Sequence, residues 1–199
     1  MKRSIVFLLL VVISTSVWAE LFPGWDKAFI FSVPSILLDI SEYNGGLGLK
    51  AGKDHWAVRA MADITAKDDG TEPSVFAWGT EGAFQWYLHP LSGDRRFKAF
   101  PYTGAAFGIS GSSETIEIDG GDWTRDDLLA LEFGPFLGVE FFLLENVSLF
   151  AEYQLKGMAG WPSVTTHVDG EDNTVSDDLA WSVDMSLGAG GKLGLCVFF

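Results

Sequence analysis

The chain has 199 residues, with 13 Lys and Arg against 27 Asp and Glu and a formal net charge of −14, a length that fits one ordinary domain. A chain this acidic, with no Lys/Arg cluster to make a local exception, is repelled by phosphate backbones, which excludes nucleic-acid binding. Its 48% hydrophobic content lies far above what disorder tolerates. The single cysteine, Cys196, excludes an intramolecular disulfide and any zinc site built on two thiolates.

Lys2 and Arg3 precede nine apolar residues, Ile5 to Ile13, and then Val17-Trp18-Ala19 before Glu20. Charge, short apolar core and small-residue end form the pattern of a secretory signal peptide. Cleavage is expected near Ala19, so that residues 1–19 are a leader and 20–199 a single domain. Nine apolar residues are too few for a membrane helix, which needs about 20, and no longer apolar run follows. Helical membrane spans are thereby excluded, whereas barrel strands, which only alternate, are not.

In chain order, strands are expected over about 24–33, 43–51, 56–66, 75–88, 99–111, 129–143, 147–161 and 181–199. The last is the clearest. Trp181, Val183, Met185, Leu187, Leu193, Leu195, Val197 and Phe199 fall on one face, and Ser182, Asp184, Ser186, Gly188, Lys192 and Gly194 on the other, which is the period of a strand. Short turns at Gly52–His55, His89–Lys98 and Leu144–Asn146 alternate with longer, mostly acidic stretches over 34–42, 67–74, 111–127 and 164–178. An up-and-down barrel with two unlike ends produces that alternation. The fold class expected is all-β, an eight-stranded antiparallel transmembrane β-barrel.

The leader, the eight alternating strands, the stretch Pro101-Tyr102-Thr103-Gly104-Ala105-Ala106-Phe107-Gly108 and the closing apolar-x-apolar-x-Phe ending at Phe199 resemble the small OmpA/OmpX-type outer-membrane β-barrels. The resemblance is one of pattern, over residues 24–199. It implies residence in the bacterial outer membrane, and a terminal signal at Leu195, Val197 and Phe199 read by the outer-membrane assembly machinery.

Alternation alone fits a soluble lipocalin-like barrel as well as a membrane one. Three observations favour the membrane. Aromatics lie near strand ends: Trp56, Trp86, Tyr87 and Tyr102 by the short turns, Trp161 and Trp181 by the last long loop, as interface girdles would. The polar face is unusually small, with Gly104, Ala106, Gly108 and Ser110 in one strand. The remaining charges have both signs: Arg59, Asp63, Glu81, Glu132, Glu140, Glu152, Lys156, Asp184 and Lys192. Inside a narrow barrel these must pair, because an unpaired buried charge is costly. An eight-stranded lumen is just wide enough to be filled by side chains, so no open channel is implied.

Catalysis and cofactors are not expected. His55 and His89 lie in short turns and His167 in the last long loop, so no pair shares a metal. Thr165, Thr166, Ser176 and Asp169 accompany His167 in sequence, but nucleophilic catalysis needs preorganised geometry and a solvated histidine is the expectation. Asp119, Asp122, Asp169, Glu171, Asp172 and Asn173 lack calcium-loop spacing. Cys196 reads as a packed free thiol. Glu114 to Ile118 keep alternating beyond the expected span and turn at Asp119-Gly120-Gly121-Asp122, a hairpin that projects outward with Trp123 as a contact. The expected role is a structural or surface-interaction barrel with acidic external loops, with membrane lipid, the assembly machinery and an external protein or surface as partners. A narrow pore or small-molecule conduit is the alternative.

Overall fold

The structure is a computed structural model that describes residues 20–33, 42–67, 74–118, 122–168, 171–184 and 191–199; the expected leader lies outside the described residues. Eleven strand segments follow in order: β1 Asp26–Val33, β2 Glu42–Lys53, β3 Trp56–Lys67, β4 Ser74–Tyr87, β5 Lys98–Glu117, β6 Trp123–Leu144, β7 Val147–Gln154, β8 Lys156–Val168, β9 Glu171–Ser176, β10 Ala180–Asp184 and β11 Gly191–Phe198. Antiparallel pairing runs in sequence from β1 to β6, β6 pairs with both β7 and β8, β8 with β9 and β10, and β11 with β7 and, from Ala28↔Phe198 to Val33↔Leu193, with β1, so the sheet closes into a ring.

Counted around that ring there are eight strands, because β7 and β8 continue one another, as do β9, β10 and β11. The gap between β7 and β8 has a local cause. Leu155 stands opposite Pro135, whose nitrogen has no hydrogen to donate, and only the Leu155 N–H to Pro135 O bond of 3.0 Å is made there. The register on either side is the same, Phe136↔Gln154 below and Phe133↔Gly157 above. The fold is a closed eight-stranded antiparallel up-and-down barrel.

Its two ends differ as the turn lengths demand. At one end the chain reverses tightly at Asp54-His55, where Asp54 takes the left-handed φ of 53° that two-residue hairpins require, and at Glu145-Asn146. The chain's last residue is fastened at the same end, the Phe199 N–H donating to Lys27 O at 2.9 Å. At the other end the strands run on. β5 and β6 stay paired out to Glu117↔Trp123, and β8 pairs with β9 from Ser163↔Ser176 to Val168↔Glu171. The stretch 164–178, expected as a loop, is therefore mostly a hairpin. Val164, Val168 and Val175 supply its strand propensity, and a strand need not stop where its apolar face does.

Period two sorts the side chains. Ala28, Ile30, Ala57, Arg59, Tyr87, Tyr102, Phe136, Glu140, Phe142, Cys196 and Phe198 point inward and are buried, whereas Phe31, Phe84, Trp86, Phe107, Phe133, Leu137, Phe141, Leu149 and Phe199 point outward and are exposed. The apolar wall thus faces away from the barrel axis. From Phe76 to Trp86 along β4 is about 33 Å of strand at about 3.3 Å per residue. A tilt near 40° makes that about 25 Å of height, the size of a bilayer's apolar band.

Candidate functional site

The lumen concentrates the chain's chemistry. Small residues on the inward face leave room for long charged side chains, and rings pack where they do: a Cβ on Gly104 would meet the Phe136 ring at 2.4 Å, and one on Gly138 the Tyr102 ring at 2.4 Å. These glycines let a neighbouring strand's ring lie flat on the backbone.

Nearest the tight-turn end, Lys50 Nζ donates to Glu140 Oε2 at 2.6 Å and Ser148 Oγ donates to Glu140 Oε1 at 2.5 Å. Tyr87 also donates its hydroxyl to Glu140. Phe100, Phe142 and Phe198 pack beneath, with ring centroids 5.4 Å apart in successive pairs. Arg95 from the β4–β5 turn lies over Phe142 and Phe198 at 5.0 and 5.3 Å, closing that end.

At mid-height Arg59 makes a bidentate pair with Glu152 at 2.6 and 2.5 Å and donates to Glu81 at 2.8 Å. Its guanidinium lies 4.9 Å from the Phe136 ring centre, and Tyr102 donates to Glu152 at 3.2 Å. Fork-shaped donors suit two carboxylates better than a lysine would.

Toward the long-hairpin end the packing opens into a cavity of about 250 Å³ whose lining includes Asp63, Glu81, Ser110, Glu132, Lys156 and Lys192. Lys156 donates to Glu132 at 2.8 Å and Ser110 to the same carboxylate at 2.6 Å. Lys192 reaches Glu81 at 3.4 Å and Asp63 at 3.9 Å. The lumen is thus closed by packed rings at one end and opens into a charged, partly exposed cavity at the other.

Arg59, Asp63, Glu81, Glu132, Glu140, Glu152, Lys156 and Lys192 all face this space. Asp184 stands in register with Lys156, but its side chain lies outside the described residues. Lys50 belongs to the same set and was not singled out from sequence, although it shares the parity of Gly46, Gly48 and Gly52. Tyr87 and Tyr102 correct the interface expectation. Both are buried, at 0% and 3% exposure, because each has the strand parity of the lumen face, while Trp86 next door points out. Trp56 and Trp86 do lie on the outer wall, rings 4.6 Å apart, and Trp161 and Trp181 are exposed at the other end. Leu195 and Val197 share the outward parity of Phe199, whose ring rests 5.0 Å from that of Phe29.

Outside the barrel, His167 Nδ1 contacts Asp172 at 2.6 Å and its ring stacks on Trp123 at 5.4 Å. Thr165 is engaged with Thr174 at 3.0 Å, and Asp169 lies outside the described residues. Among the described residues no three His, Cys, Asp or Glu side chains are arranged to hold a metal. In the β4–β5 turn, the Arg96 side chain, then its backbone N–H, donates to Asp94 and holds that carboxyl below the usual range. Cys196 is buried and free.

No family model matches the chain, and no curated protein matches it. Among solved structures, the chain is similar to the crystal structure of a major outer membrane protein from Thermus thermophilus, with 11% identity and a TM-score of 0.49 over 88% of this chain and 100% of that one.

Proposed function

We propose that this protein is an integral outer-membrane β-barrel of the small OmpA/OmpX-like kind, sealed to solutes, that presents a projecting β-sheet to the outside. One observation carries the reading: the outward wall is apolar over a band of about bilayer height, while the charges along that band are gathered inside as ion pairs. A soluble barrel of this size would show water the opposite arrangement, since exposed apolar patches beyond a few hundred Å² are rare on soluble monomers. The projecting sheet, built from the far ends of β5, β6, β8 and β9, carries polar and acidic residues on its outer face together with Trp123 and His167. Its last strand, β9, is exposed throughout and, among the described residues, pairs with β8 alone, which suits strand addition by a partner.

Migration of the outer-membrane fraction in gels, with and without boiling, tests the barrel. A heat-dependent shift is expected; a periplasmic protein with no shift would overturn the reading. Deleting Glu114 to Arg125 should abolish binding to whichever surface the protein recognises, and unchanged binding would end the interaction role. Bilayer recordings should give no steady conductance, and an open pore would favour transport instead.

A further inference from the structure

The outer wall changes character along one line of cross-strand neighbours. Trp78 pairs with Gly111, Gly111 with Leu129 and Leu129 with Trp161, making a single apolar row across β4, β5, β6 and β8. The next row toward the projecting sheet is Phe76, Ser113, Asp127 and Ser163, and beyond it stand Thr115, Arg125 and Thr165. Outward residues of these strands are mostly apolar below this line, Thr80 and Thr103 excepted, and mostly polar above it. At the line itself Gly111 has no side chain, and a groove of about 290 Å³ opens there, flanked by Trp78, Leu129 and Trp161 and rimmed by Ser113, Asp127 and Ser163. Gly111 is required by the packing: a Cβ there would come within 2.6 Å of the Trp78 indole.

The rim is charged in a particular way. Arg125 Nε donates to Asp127 Oδ2 at 2.9 Å, and both side chains remain partly open to solvent. A positive and a negative group therefore sit side by side at the top of an apolar slot. We propose that this groove is a binding site for a membrane lipid with an amine-bearing, zwitterionic phosphate headgroup. One acyl chain lies between Trp78 and Trp161 over Gly111, the phosphate faces Arg125 and the ammonium faces Asp127. Tryptophans favour this depth, where one end of the ring is apolar and the other wet. An anionic lipid without an amine gains from Arg125 but meets Asp127 as a like charge, so the rim discriminates by headgroup. This site rests on the membrane reading given above.

The test is lipid retention. The full chain is folded into vesicles of equal phosphatidylethanolamine and phosphatidylglycerol, extracted in mild detergent, and its bound lipid measured by native mass spectrometry. Retained phosphatidylethanolamine should exceed phosphatidylglycerol by about threefold to fivefold, the size of one partly exposed charge contact. Asp127→Asn should bring that ratio close to one, Trp161→Ala should lower retention of both lipids, and Leu137→Ala, on the wall away from the groove, should change neither. Equal retention by the unchanged protein, a preference that survives Asp127→Asn, or a protein instead of lipid held in the groove would overturn the proposal. A chain that never enters vesicles and shows no heat-dependent shift would overturn the membrane reading itself, and a shifted barrel without lipid preference would overturn only the groove.

Discussion

Lys50 Nζ lies 2.6 Å from Glu140 Oε2 although 90 residues separate them in the chain, and both side chains are shielded from solvent. Removing the lysine leaves a carboxylate buried without its charge partner, so Lys50→Met should cost about 3–5 kcal/mol. Adding Glu140→Gln should recover much of that loss, because the amide carries no charge to desolvate and can accept from one of the Tyr87 and Ser148 hydroxyls while its NH2 donates to the other. Urea unfolding in lipid vesicles checks both; a double variant as unstable as the single one would contradict the buried pair.

Depth in the lumen sets how much each pair contributes. Arg59 and Glu152 are almost wholly enclosed, with side-chain exposures of 1% and 0%, so Arg59→Met should also cost about 3–5 kcal/mol. Lys156 and Glu132 line the open cavity and remain partly solvated, so Lys156→Met should cost no more than about 1 kcal/mol. Equal costs in the same vesicle assay would mean that the lumen is not graded from sealed to open.

A charge on the outer wall distinguishes lipid from water as the surrounding medium. Leu137, 67% exposed, stands near mid-height of the apolar wall. Leu137→Arg should cost about 2–4 kcal/mol in a bilayer. Glu117→Arg, beyond the wall on the projecting sheet, should change stability by less than about 0.5 kcal/mol. If Leu137→Arg is equally harmless, the wall does not face lipid.

Glycine positions separate crowded from open backbone. A Cβ at Gly104 would lie 2.1 Å from Phe84 O and 2.4 Å from the Phe136 ring, whereas at Gly82 its nearest neighbour is 3.9 Å away. Gly104→Ala should therefore lower the yield of heat-modifiable, folded barrel, and Gly82→Ala should leave it unchanged.

In the β4–β5 turn, hydrogen bonds from Arg96 hold the Asp94 carboxyl below its usual range. A carboxylate whose folded value is depressed favours folding above the unfolded value, near 3.9, and loses that contribution as pH falls through the folded one. Carbon-detected titration of Asp94 should show the low value, and Arg96→Ala should return it upward.

Much of this architecture is legible as parity. Leu193, Leu195, Val197 and Phe199 set against Lys192, Gly194 and Cys196 establish a strand and its two faces without any knowledge of partners. The outward run of Glu114–Glu117 follows its alternation, and the expected strand positions differ from the observed ones mainly where a strand outruns its apolar face, as at Ser163–Val168. Proximity to turns suggests an interface position for Tyr87 and Tyr102, but the alternation that sends Trp86 outward sends Tyr87 inward. Lys50 is not legible as a lumen residue in the sequence, because one lysine among glycines resembles a solvated edge and only ring closure brings Glu140 across to it. Trp78 and Gly111 show the same limit, since a groove between four strands depends on register, which no single segment contains.

Pairing of β1 with β11 means that the first strand of the barrel waits for the last. Until Leu193 to Phe198 have been made and have reached Ala28 to Val33, the sheet carries two open edges, each able to add a strand from another chain. No shorter product can close. A chain truncated by even the final strand would keep most of its alternating sequence and still lack a finished ring. Such truncated chains should aggregate, so that only a chain carrying β11 can hide both edges.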